Sequence, residues 1–199
     1  MARNPERSDP VNIGTLGACF GGPPCLNYWP PPPWPPALSR SWRGTSGLAL
    51  SRQPLPTFDR AKYAPASGVS QGAYILADAP GGNPELILIA SGSEVSLAVD
   101  AYEQLVKDGI RARVVSMPSW DIFERQTLEY RNSVLPPTVK ARVAIEQAST
   151  FGWERYVGDQ GRVIGMHTFG ASAPLKELQK KFGFVPDQVV AVAKEVLGV

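Results

Sequence analysis

Glu85-Leu-Ile-Leu-Ile-Ala90-Ser91-Gly92-Ser93-Glu94-Val95 is the stretch whose reading decides the fold. Leu86 to Ala90 is apolar without interruption, the pattern of a parallel strand covered on both faces rather than the alternation of a half-solvated one. Ser91 and Glu94 then stand at the spacing of a reciprocal capping box, which marks a helix start. Behind them Val95, Ala98, Val99, Tyr102, Leu105 and Val106 recur at helical spacing on one face, and Asp108-Gly109 supplies the stop. A buried strand running directly into an amphipathic helix is the first half of a parallel crossover unit.

Downstream the cycle repeats. Arg113 to Met117 reads as a strand, Pro118-Ser119 opens a helical region through Ile122 and Phe123, and Pro136-Pro137 closes it. Ala141 to Glu146 and Arg162 to Met166 read as two further strands. Leu175 to Phe182 is helical, and a last helix starts at Pro186-Asp187 with Val189, Val192, Ala193, Val196 and Leu197 on one stripe. Upstream, Gln71 to Asp78 suits a short strand ahead of the turn cluster Pro80-Gly81-Gly82-Asn83-Pro84. The expectation is an α/β fold with three layers, a mostly parallel sheet with helices on both faces, over residues 71–199.

The N-terminal part is of a different kind. Of the 20 prolines in 199 residues, ten fall within the first 36 positions. Asn-Tyr-Trp-Pro-Pro-Pro-Pro-Trp-Pro-Pro from Asn27 to Pro36 forbids helix interior and central strand, because proline fixes φ and lacks an N–H. A polyproline II rod, with Trp29 and Trp34 beside it as a ligand for an aromatic groove, is one reading. Without apolar periodicity before Leu48, the stronger expectation is a disordered, proline-rich arm over residues 1–47. Residues 48–70 then form a linker.

Arg3, Arg7, Arg40 and Arg43 against Glu6 and Asp9 account for the whole net charge of +2, so the body is neutral and gives no warrant for a nucleic-acid partner. No run reaches the roughly 20 apolar residues of a membrane-spanning helix, and Pro10 and Gly14 interrupt any secretion signal. A cytoplasmic protein without a membrane partner is expected. Cys19 and Cys25 are expected as free thiols, with a small disulfide loop as the competing reading. With His167 the sole histidine, a zinc site lacks its usual four ligands.

Ligands of open α/β sheets gather at the carboxyl ends of the strands. The candidates there are Ser91 to Glu94, Ser116 to Ser119, Glu146 to Thr150 and His167 to Ser172. Ser91-Gly92-Ser93 lacks the glycine fingerprint of a dinucleotide site and the lysine of a P-loop, so capping outweighs anion binding. Histidine is a residue type suited to proton transfer, but no neighbour in sequence orients His167, and a hydrogen-bonded structural histidine is the expectation. Glu146 closes an apolar strand and must find donors or rise in pKa, in a structural or interface role before a catalytic one. Trp153 and Tyr156, three apart, pack on one face as core or subunit contact. Phe169-Gly-Ala-Ser-Ala-Pro174 is a loop leading into a helix. The residues alone specify a globular α/β domain without a self-contained active site.

Six passages together resemble the C-terminal domain of transketolase: Leu50-Ser-Arg-Gln-Pro-Leu-Pro56, Lys62-Tyr-Ala-Pro-Ala-Ser-Gly-Val69, Gly72-Ala-Tyr-Ile-Leu76, Ile89-Ala-Ser-Gly-Ser-Glu-Val95, Ser116-Met-Pro-Ser-Trp120 and His167-Thr-Phe-Gly-Ala-Ser-Ala-Pro174. The resemblance runs from about Leu48 to Val199 and implies that residues 48–70 are a linker from the end of a pyrimidine-binding domain, with the last few residues of that domain included. It implies membership of an enzyme family of the pentose phosphate pathway that transfers a two-carbon ketol unit between sugar phosphates, using thiamine diphosphate and a divalent metal, Mg or Ca. It also implies a dimer whose active sites lie between a diphosphate-binding and a pyrimidine-binding domain. By the same resemblance Arg52 is the arginine that grips the sugar phosphate in a complete enzyme, a role suited to a planar, always-charged donor fork.

The family's Gly-Asp-Gly metal motif with its following asparagine is absent; Gly158-Asp159-Gln160-Gly161 only brushes it. No catalytic, cofactor-binding or metal residue is therefore expected in this chain, and no ketol transfer by it alone. The expected partners are a second copy, another transketolase subunit, or a separately encoded catalytic chain on which this one docks as an assembly module. A metabolite sensor at the strand ends is the third reading, without specific residues to carry it. The abrupt change near Gly47 is what a fusion, a truncation or a shifted reading frame would give.

Overall fold

The computed structural model describes residues 54–199. The expectations placed on the proline-rich arm, on Cys19 and Cys25, and on Arg52 lie outside the described residues. The elements are β1 (Tyr74–Ala77), β2 (Leu86–Ala90), α1 (Glu94–Lys107), β3 (Ala112–Ser116), α2 (Trp120–Glu124), α3 (Leu128–Val134), β4 (Arg142–Ser149), α4 (Glu154–Val157), β5 (Arg162–Met166), α5 (Leu175–Phe182) and α6 (Pro186–Leu197).

The five strands form one sheet in the order β1-β3-β2-β4-β5. β2 pairs in parallel with β3 and β4, and β4 in parallel with β5. β1 runs antiparallel along β3, Tyr74 facing Ser116. An antiparallel edge strand on an otherwise parallel sheet is common in large α/β folds.

The uninterrupted apolar run of β2 is explained by its central place. Successive side chains point to opposite faces, and here both faces are roofed. Leu86, Leu88 and Ala90 join Val95, Ala98 and Leu105 of α1 and Val189 and Ala193 of α6 in one core. Ile87 and Ile89 join Phe123, Val134, Trp153 and Tyr156 from the α2–α4 side in the other. All five β2 residues are fully buried. The three-layer architecture read from the sequence is the observed one.

Ahead of β1, Tyr63 and Val69 are buried in the α1–α6 core. Lys62 and the Tyr63 hydroxyl both donate to Glu103 on α1, so the segment is tied to the domain it precedes.

Two local readings are corrected. The capping box at Ser91 and Glu94 does not form: Ser93 is the N-cap and makes no side-chain capping bond. The N–H groups of Glu94, Val95 and Ser96 donate instead to the carbonyls of Ser91, Gly92 and Ser93 at 3.2, 3.5 and 3.3 Å. This tight backbone turn satisfies the donors a helix start leaves open and frees both acid and serine for other partners. The helical region after Pro118 is two short helices. Ser119 caps α2 by accepting the Ile122 N–H, and Thr127 restarts the chain as α3 by accepting the Tyr130 N–H.

Candidate functional site

β2 continues through α1 into β3 on one side and has β4 on the other, so the chain diverges between β2 and β4. That divergence is the topological switch point at which open α/β sheets hold ligands, at the carboxyl ends of the strands. Ser91 and Glu94 follow β2 there, and Glu146 lies on β4. The Ser91 hydroxyl donates to Glu146 Oε2 at 3.0 Å, and the Ser93 hydroxyl to Glu94 Oε1 at 2.6 Å.

The β4 backbone is shaped for these acids. Its pairing with β5 shifts register between Glu146 and Ser149, a bulge that leaves Gln147 and Ala148 out of the ladder. Their N–H groups face the carboxyls instead, Gln147 that of Glu94 and Ala148 that of Glu146. Gly165 on β5 permits the close approach: a Cβ there would stand 2.6 Å from Thr150 Cγ2 and 3.3 Å from the Glu146 carbonyl oxygen.

Burial dominates the electrostatics. Glu94 is only 4% exposed, and desolvation pushes its carboxyl up from 4.5 to about 7; the Ser93 hydroxyl opposes the rise and the Glu146 charge adds to it. Glu146 is also raised by burial, against the Ser91 and Ala148 hydrogen bonds. Near neutrality the pair is poised to hold a proton on Glu94, and the acidic lining disfavours an anion at the start of α1.

Ser91, Glu94 and Glu146 thus come together, whereas His167 does not join them. It is exposed, without the hydrogen-bond partner expected of a structural histidine among the described residues. Ser116 meets the Tyr74 hydroxyl, and Ser119 is the α2 cap. Trp153 and Tyr156 are core: Trp153 is 1% exposed, and its ring meets Trp120 edge-on at 5.0 Å.

The sequence reading passed over Arg113. Buried on β3, it donates from Nε and a terminal nitrogen to both Asp78 oxygens, at 2.7 and 3.1 Å, and to the Ser133 carbonyl at 2.7 Å. An arginine inside an apolar strand is the signal that could have found it, since such a charge requires partners.

A family profile described as "Transketolase-like TK C-terminal domain" matches residues 72–185. The chain belongs to the transketolase-like C-terminal domain family. It is 54% identical over 164 residues to a transketolase of Halalkalibacterium halodurans, covering 82% of this chain and 24% of that protein. It is 52% identical over 154 residues to transketolase 1 of Escherichia coli, covering 77% and 23%. A crystal structure of a transketolase mutant from Pichia stipitis aligns with TM-score 0.68 at 39% identity, covering 76% of this chain and 21% of that one. The chain therefore spans about a quarter of the length of these relatives.

The donors in this transketolase-like domain do not fit thiamine diphosphate and its metal. Among the described residues no three His, Cys, Asp or Glu side chains converge to hold an ion. The switch point presents the carboxyls of buried Glu94 and half-buried Glu146, already engaged by serines, where a diphosphate requires N–H groups or cations. Among the described residues no helix is long and apolar enough to cross a membrane.

Proposed function

We propose that this chain is the C-terminal part of a transketolase, an enzyme transferring a two-carbon ketol unit between sugar phosphates with thiamine diphosphate and a divalent metal, and that its own role is assembly. The observation that carries this reading is the family match over residues 72–185 in a chain only about a quarter as long as its transketolase relatives. The acid pair at the switch point supports a non-catalytic role, because carboxyls engaged by serines repel a diphosphate rather than hold it. In the complete protein, Arg52 grips the sugar phosphate, the cofactor-binding domains lie outside this chain's matched segment, and the assembly is a cytoplasmic dimer. A separately encoded catalytic chain could equally supply those domains.

The test mixes the purified chain with a transketolase lacking its C-terminal quarter, such as that of Halalkalibacterium halodurans. Light scattering is expected to show a stoichiometric complex, while calorimetry finds no saturable thiamine diphosphate binding by the chain alone. Ketol transfer or cofactor binding by the isolated chain overturns the reading, and so does failure to associate.

A further inference from the structure

An open groove of about 630 Å³ lies between α2, α3, α4 and the start of β4. It falls in the size range of small-molecule sites. Three arginines from three elements line it, Arg131 of α3, Arg142 of β4 and Arg155 of α4, and Glu124 is the sole carboxylate among its lining residues. The groove therefore carries two positive charges in excess.

The hydrogen bonds show which cations are spoken for. Glu124 accepts from Arg131 at 2.7 Å and from the Tyr156 hydroxyl at 3.0 Å, and pairs with Arg155 only at 4.0 Å. One carboxylate thus serves two guanidinium groups and a phenol. Arg142 donates to four backbone carbonyls, those of Val139, Tyr156, Leu135 and Pro136. Those carbonyls hold its geometry, but among the described residues no carboxylate neutralises it, and burial lowers its pKa, the mark of an uncompensated charge. Arg131 Nε is buried without any hydrogen-bond partner, although buried polar groups are almost always satisfied.

We propose that this groove binds the phosphate group of a small metabolite, a dianion that matches the two excess charges. Arg155, whose side chain is 63% exposed, supplies the planar donor fork that phosphate oxygens accept, and Arg131 lines the groove beside it as a second cation. Arg142 contributes a fixed charge from beneath. Leu128, 65% exposed at the rim, offers an apolar contact to the rest of the ligand. Such a site is independent of the transketolase assignment, because the groove's own shape and charge define it.

Calorimetric titration of the whole chain at low salt and about pH 8, well above the second pKa of about 6 of a phosphate monoester and high enough for inorganic phosphate to be a dianion too, compares inorganic phosphate, ribose 5-phosphate, AMP and glutarate. One saturable site for at least one of the three phosphates is expected. The arms distinguish the source: equal affinity for all three assigns a bare phosphate subsite, and preference for the sugar or the nucleotide names the remainder. Arg155→Gln leaves the thermal midpoint unchanged and weakens binding about tenfold, the loss of a charge-assisted hydrogen bond. Arg131→Gln weakens it similarly. No saturation by any phosphate, glutarate binding as tightly as phosphate, or an affinity indifferent to Arg155→Gln overturns the proposal.

Discussion

Glu94 illustrates how one residue can be read correctly in type and wrongly in role. Serine followed three positions later by glutamate is the local signature of a capping box, and nothing nearby distinguishes it from a buried acid. The distinction is made by Glu146, on a strand 55 residues from Ser91, which draws away the serine that would have capped. Glu146 itself was legible, because a carboxylate closing an apolar strand must either find donors or resist ionisation, and it does both. The consequence is a pH dependence of defined sign. With its carboxyl raised from 4.5 to about 7, folded Glu94 keeps a proton that the unfolded chain has lost. Stability is therefore fully present below the unfolded value and falls as pH rises through this window; Glu146, raised in the same direction, adds to the slope. Denaturant titration is expected to show a loss of about 2 kcal/mol between about pH 5 and 7.5. In Glu94→Gln this loss shrinks to less than half, and a variant as pH-dependent as the native chain would refute the assignment.

At the scale of elements, legibility followed length and regularity. β2 and helices α1 and α6 are long enough for their apolar spacing to be counted, and their faces are buried as that spacing implies. The short helices α2 and α4, at five and four residues, are too brief for a helical period, and their packing is set by the aromatic cluster of Trp120, Phe123, Trp153 and Tyr156. The bulge that carries β4 on to Ser149 is likewise invisible in sequence, since Gln147 and Ala148 look like the end of a strand. One junction depends on a single backbone position. Gly72, at φ +82°, sits so close to α2 that a Cβ would stand 2.2 Å from Phe123 N and 2.6 Å from the Ser119 carbonyl oxygen. Both obstacles are backbone and cannot swing aside. Gly72→Ala combines a left-handed residue with this clash and is expected to lower the unfolding free energy by about 3 kcal/mol, whereas an unchanged denaturation midpoint would show that β1 and α2 can separate freely.

At the scale of the whole molecule, two exposed aromatic side chains bear on the proposed assembly role. The carboxyl end of the sheet bears Phe151 just past β4, 84% exposed, and Phe169 just past β5, 99% exposed. Neither ring joins either core, and each costs free energy in water that burial against a partner would recover, about 25 cal/mol per Å² of apolar surface. The loop from His167 to Ala173, which joins β5 to the turn before α5, is exposed beside them. Under the proposed assembly role, this surface is where a partner would dock. Phe151→Ser and Phe169→Ser separate docking from folding, because side chains this exposed contribute little to the isolated domain. Each variant is expected to keep the thermal midpoint of the native chain within about 1 °C, in line with surface substitutions that change stability by less than about 0.5 kcal/mol. The double variant is expected to weaken association with a transketolase lacking its C-terminal quarter by tenfold or more, about 1.4 kcal/mol, measured by titration with light scattering. Undiminished association would place the contact elsewhere on the domain, and a drop in thermal midpoint would show that the phenylalanines serve the fold instead.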